Sequence, residues 1–179
     1  MVAYELSPVG RFQKILLATD GSDYSAGALR VAVALAAKAG AKLLAITALP
    51  DPSDGVAPEM NAEKRKKAEA ILADVRKAAE PAGVAIETGV RYGHDPYEVI
   101  VKEAKDTAAD VVVMGRRGRR GLARVMLGDA TAKVMGYAPC SVLVVPDKSE
   151  MWGPVLVASD GSRSSDAACV AAARIAHCC

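Results

Sequence analysis

Apolar positions along this chain follow two periods that take turns. Lys14-Ile15-Leu16-Leu17-Ala18 is a short continuous apolar run, and such a run predicts a buried strand. Thr19-Asp20-Gly21-Ser22 ends it with turn residues. Leu29, Ala32, Val33 and Ala36 then recur at helical spacing, with Ser25 as the expected cap and Gly40 as the stop. Lys42 to Leu49 predicts a second buried strand, stopped by Pro50, and Asp51 to Pro58 reads as loop. Ala68, Ile71, Leu72, Val75 and Ala79 stripe a helix over roughly 61–80, ended by Pro81. Its basic run Lys64-Arg65-Lys66-Lys67 reads as a solvated face.

Val84, Ile86, Thr88 and Val90 alternate with more polar neighbours, as in a half-exposed edge strand. Asp95 and Pro96 are expected at the N-cap and first turn of a third helix, striped by Tyr97, Ile100, Val101 and Ala104. Asp110 to Met114 predicts a fourth strand, about 129–135 a short helix, and Ser141 to Val145 a fifth strand stopped by Pro146. Strands alternating with helices predict an α/β fold, with a parallel sheet covered on both faces. Ligands of such sheets sit beyond the carboxyl ends of the strands, where the strand order reverses.

After Lys148 the chain repeats itself. Val155 to Ser162 matches Ile15 to Ser22 at an offset of 140, and residues 15–36 and 155–176 share nine identities, Asp20-Gly21-Ser22 among them. The expected organisation is a tail over 1–11, a domain over 12–148 and a linker over 149–152. Residues 153–179 would then be an incomplete second copy, first strand and helix only. Such a fragment buries no apolar face unaided, so pairing with another surface is expected, for instance across a dimer.

Composition narrows the class. At 179 residues the chain is long enough for one sizeable core, and its 4% aromatic content favours helices packed closely on a sheet. A net charge of +2 does not by itself imply a nucleic-acid or membrane partner. No apolar run approaches a membrane span, and Met1 to Arg11 lacks the apolar core of a signal peptide. A cytoplasmic, reducing setting is the expectation. Four cysteines without C-x-x-C spacing agree with it.

The chemistry concentrates after the fourth strand. Val112-Val113-Met114-Gly115-Arg116-Arg117-Gly118 ends an apolar run at a glycine, and Gly128 precedes the short helix. Glycine lets backbone approach a ligand, and a helix N-terminus offers N–H groups to an anion. Spacing alone is weak evidence, since three glycines at such offsets arise by chance in roughly one such chain in ten. The added signal is placement: the first- and fourth-strand loops flank one crevice if their strands are neighbours.

These residues resemble the universal stress protein family. Its signature of glycine, two residues, glycine, nine residues, glycine fits Gly115, Gly118 and Gly128. Asp20 at the end of the first strand, Gly93 and Pro96 before the third helix, and the closing Cys140-Ser141-Val142-Leu143-Val144-Val145 fit too. The resemblance covers roughly residues 12–146, and the partial second copy resembles a tandem member. It implies a Rossmann-like, adenine nucleotide alpha hydrolase-like fold with a five-stranded parallel sheet in order 3-2-1-4-5. It also implies ATP or AMP as ligand. Adenine and ribose would lie near Ala18, Thr19, Asp20 and Ala48. Ribose and phosphates would lie near Met114, Gly115, Arg117, Gly118, Gly128, Asp129, Ala130 and Thr131. Homodimers are common in the family, and the implied role is a stress-response regulator acting through dimerisation or an unknown protein partner.

One position departs. The family's serine or threonine after the third glycine is Asp129 here. An ionised carboxylate cannot donate a hydrogen bond and repels phosphate. Two like charges 4 Å apart interact by at most about 4 kcal/mol at an effective dielectric near 20. Asp129 is read either as a helix N-cap or as a ligand to Mg2+ or Mn2+ on the nucleotide phosphates. Arg116, Arg117, Arg119, Arg120 and Arg124 are expected to compensate, and Thr131 to supply a hydroxyl.

Three other readings stand beside this one. The arginine loop suggests nucleic acid, but no aromatic residues interleave for stacking. Asp20, Ser22, His94 and Asp129 form no nucleophile–base pair and no P-loop is present, so an enzyme is not expected, slow ATP hydrolysis apart. A nucleotide-free interaction scaffold is the third.

Overall fold

A computed structural model describes residues 12–53, 58–118, 127–149 and 153–178. The elements of the larger unit run β1 (Lys14–Ala18), α1 (Asp23–Ala39), β2 (Lys42–Leu49), α2 (Pro58–Ala79), β3 (Ile86–Tyr92), α3 (Pro96–Asp106), β4 (Val111–Gly115), α4 (Asp129–Tyr137) and β5 (Ser141–Val145). All strand pairs are parallel, in the order β3-β2-β1-β4-β5. The sheet is the expected one, and its order reverses at β1.

Each strand sends alternate side chains to opposite faces. Leu16, Ile46 and Val112 meet Ile100, Ala104 and Val134, from α3 and α4, on one face. Ile15, Leu17, Leu43 and Val113 are equally buried, and α1 and α2 also pack on the sheet. β1 is covered on both faces and paired on both edges, which is why it reads as an unbroken apolar run.

Three boundaries differ from the pattern. α1 begins at Asp23 with Ser22 at the N-cap, because the Ser25 hydroxyl turns back to donate to the Ser22 carbonyl at 2.8 Å. α2 starts at Pro58 rather than near 61, its proline suited to a first turn that needs no N–H donor. β3 lies two residues later than the alternation suggested, since Gly83 takes a left-handed conformation that closes a short 3-10 turn first.

Residues 12–149 form one compact unit, and the C-terminal residues belong to another. In that second unit α5 (Arg163–Cys178) forms, but Val155-Leu156-Val157 is not a strand, contrary to the sequence pattern. Apolar character alone does not make a strand; a pairing neighbour is also required. The expected tail over 1–11 and most of the expected linker lie outside the described residues.

Gly27 sets how closely α1 approaches the end of the sheet. A Cβ there would strike the backbone carbonyls of Pro146 and Asp147. Gly27→Val is expected to destabilise the fold by about 1–3 kcal/mol, read as a lower urea midpoint at unchanged slope.

Candidate functional site

The loop after β1 is built by its own side chains. The Gly21 N–H donates to Thr19 Oγ1 at 3.1 Å, Thr19 Oγ1 donates to Ser25 Oγ at 3.0 Å, and Ser25 Oγ donates to the Ser22 carbonyl. Such a chain polarises each member in turn. Asp20 Oδ1 accepts from the Ser22 N–H at 3.0 Å and the Ser22 hydroxyl at 2.6 Å. Gly21 completes the turn at φ +69°, a conformation that glycine adopts without strain. Thr19 is thereby buried as a structural residue, while the Asp20 carboxylate faces the neighbouring loop.

The loop after β4 closes against it. β1 and β4 are adjacent, with Ala18 opposite Met114, so the two loops leave the sheet side by side. A Cβ on Gly118 would lie 2.7 Å from Asp20 Oδ2, and one on Gly115 would lie 2.5 Å from the Tyr24 carbonyl. One on Gly128 would sit 3.0 Å from the Arg117 Cα. The Gly128 N–H donates to the Arg116 carbonyl at 2.9 Å, tying the end of the glycine segment to its beginning. All three glycines of the spacing therefore stand where backbone meets backbone or carboxylate. Gly115, Gly118, Asp20, Ala18, Thr19 and Met114 gather at the point where the strand order reverses. Ala48 stands near the carboxyl end of β2, opposite Arg91 on β3.

α4 presents its first turn to the same region. Gly128, not Asp129, is the N-cap; Asp129 is the first helical residue. The N–H groups of Asp129, Ala130 and Thr131 have no acceptor within the helix, which is the usual condition for binding an anion. Asp129 Oδ2 lies 3.0 Å from Lys133 Nζ. That ammonium also lies 3.3 Å from Asp95 Oδ2 and 4.9 Å above the Tyr97 ring. The hydrogen bond to Asp129, then that to Asp95, raises the Lys133 pKa above its ordinary value.

Two of the groups expected to compensate are engaged elsewhere. Arg117 stacks its guanidinium over the Tyr24 ring at 4.5 Å, a cation–π contact. Arg119, Arg120 and Arg124 lie outside the described residues. The charge beside Asp129 is Lys133, one helical turn on, and the i, i+4 spacing that makes the pair is legible in the sequence. Thr131 does not offer its hydroxyl to the crevice: it is buried and donates to the Gly115 carbonyl at 3.1 Å. Asp95 caps α3 as expected, but through its carbonyl, which accepts from Glu98 and Val99; its carboxylate serves Lys133.

The first turn of α4 presents backbone N–H donors, the chemistry of an anion site. Among the described residues no cluster of three or more His, Cys, Asp or Glu side chains is placed to hold an ion, and Asp129 is engaged with an ammonium. Thr131→Val removes the bond that pins α4 to the end of β4. It is expected to cost about 1–3 kcal/mol by leaving the buried Gly115 carbonyl without its donor, measured by chemical denaturation.

Comparison with known proteins agrees with this geometry. The profile of the universal stress protein family matches residues 11–146. A universal stress protein of Methanocaldococcus jannaschii, MJ0531, is 34% identical over 140 residues, covering 75% of this chain and 82% of its own length. The crystal structure of a universal stress protein in complex with cAMP is 30% identical, with a TM-score of 0.60 over 77% of this chain and 99% of that one. A universal stress protein from Archaeoglobus fulgidus DSM 4304 shares the fold at a TM-score of 0.76 and 23% identity, covering 92% of this chain and 63% of its own. With a matching profile over most of its length and the glycine crevice at the reversal of the sheet, this chain belongs to the universal stress protein family.

Proposed function

We propose that the crevice between the β1 and β4 loops binds an adenine nucleotide, and that the protein acts by this binding rather than by turnover. The observation that carries the reading is the placement of Gly118 against Asp20. A Cβ at 118 would stand 2.7 Å from Asp20 Oδ2, so only glycine lets the β4 loop bring its backbone against the carboxylate at the sheet's reversal point. The 30%-identical structure with cAMP bound supports adenine as the base. In this reading Asp20 accepts from ribose hydroxyls, and the first turn of α4 donates N–H groups to a phosphate.

Asp129 favours a monophosphate over a triphosphate. It adds a negative charge where a longer phosphate chain would run, and Lys133 offsets only part of it. A divalent ion, Mg2+ or Mn2+, enters with the phosphates. Nucleotide touching both loops favours one arrangement of the surface that pairs two copies or meets a protein partner, a population shift in stress signalling.

Calorimetry with AMP and with ATP plus magnesium tests the reading. Saturable AMP binding, with weaker ATP binding, is expected; no binding of either at millimolar nucleotide rejects it. Gly118→Val is expected to abolish AMP binding while the protein stays folded by circular dichroism. Asp129→Ser is expected to raise ATP affinity about fivefold and leave AMP nearly unchanged, the scale of one exposed charge.

A further inference from the structure

We propose that a groove between α2 and the free edge of β3 is a second binding site, for a small organic oxyanion. The groove holds about 330 Å³, at the lower end of the range for ligand sites, so its occupant is smaller than a nucleotide. It lies at the edge of the sheet, separated from β1 by β2.

Its chemistry comes from two sides. Arg65, Glu69, Leu72 and Arg76 line it from one stripe of α2, at spacings of four, three and four residues. Two guanidinium groups face one carboxylate, so the wall is net positive. Arg65 Nε donates to Glu69 Oε1 at 2.8 Å, and its Nη groups carry the remaining donors of the fork. The opposite wall is β3, with Thr88, Val90 and Tyr92.

Two features of β3 point to a ligand. Thr88 lines the groove, and its Oγ1 is buried with no hydrogen-bond partner among the described residues. A buried hydroxyl left so is costly, and an acceptor in the groove would satisfy it. The second feature is the register of the edge. Leu43 N–H donates to the Ala85 carbonyl and Gly93 N–H to the Leu49 carbonyl, so odd-numbered residues of β3 bond to β2. Parallel pairing then turns the N–H groups of Thr88 and Val90 outward, toward the unpaired edge. Guanidinium forks, a hydroxyl and edge N–H groups are all donors, and an oxyanion is the ligand that accepts from them together. Phosphate and carboxylate share this chemistry.

The test is a 1H–15N titration of the full chain with inorganic phosphate and, separately, with succinate, at low ionic strength. Saturable shifts at Thr88, Gly89 and Val90 are expected with at least one of the two, and the tighter probe identifies the head group. The same shifts are expected when AMP is present at saturation. Arg76→Gln, at an exposed position that leaves the core intact, is expected to weaken binding about tenfold, and Thr88→Val to weaken it also. Shifts that rise without saturation with both probes, saturable shifts confined to Gly115, Gly118 and Gly128, or unchanged affinity in Arg76→Gln would overturn the proposal.

Discussion

The position of β1 is the constraint on which the rest of the molecule depends. It is hydrogen-bonded to β2 on one side and β4 on the other, and covered on both faces. Ile15, Leu16 and Leu17 are almost wholly removed from water, so the strand has one register and one direction. The connections from β1 run one way to β2 and β3 and the other way to β4 and β5. The two loops that meet at the carboxyl ends of β1 and β4 inherit their positions from the strands beneath.

The crevice is thus a product of topology, refined by three glycines. Gly115 lets β4 pass the Tyr24 carbonyl, Gly118 brings backbone against Asp20, and Gly128 returns the chain to Arg116. Polar side chains then lock the frame. Thr131 fastens α4 to β4, and Lys133 joins α4 to the loop before α3 through Asp129 and Asp95. The fastening spans the loops after β3 and β4, so the site is framed by hydrogen bonds and ion pairs as well as by the core.

Much of this was legible in the sequence because it rests on periodicity. Buried parallel strands read as apolar runs, and the alternation of strand and helix fixed the fold class. The glycine spacing marked the crevice. What escaped depends on side-chain direction or on a missing neighbour. Arg117 lies beside a phosphate-like site in sequence yet stacks on Tyr24, a contact that no spacing reveals. Thr131 has the right hydroxyl, but its helix turns it inward to Gly115. Val155-Leu156-Val157 has strand composition but no partner strand among the described residues. Gly128 displaces Asp129 from the N-cap because the chain must return to Arg116 before the helix can start.

The repeat after Lys148 bears on how the β1 loop comes into being. The Gly161 N–H donates to Ser159 Oγ at 3.2 Å, Ser159 and Ser165 hydroxyls lie 3.1 Å apart, and Ser165 Oγ donates to the Ser162 carbonyl at 2.9 Å. The Ser162 N–H donates to Asp160 Oδ1, and hydrogen bonds from Ser162 hold the Asp160 pKa down to about 2. Each bond has its counterpart between Thr19 and Ser25. Yet residues 153–164 are exposed, and no strand precedes this turn. The turn therefore needs only the few residues it contains. Contacts of such short range close on the fast end of folding timescales, ahead of long-range strand pairing. The aspartate half of the crevice thus rests on local sequence, whereas the glycine half depends on β4 standing beside β1.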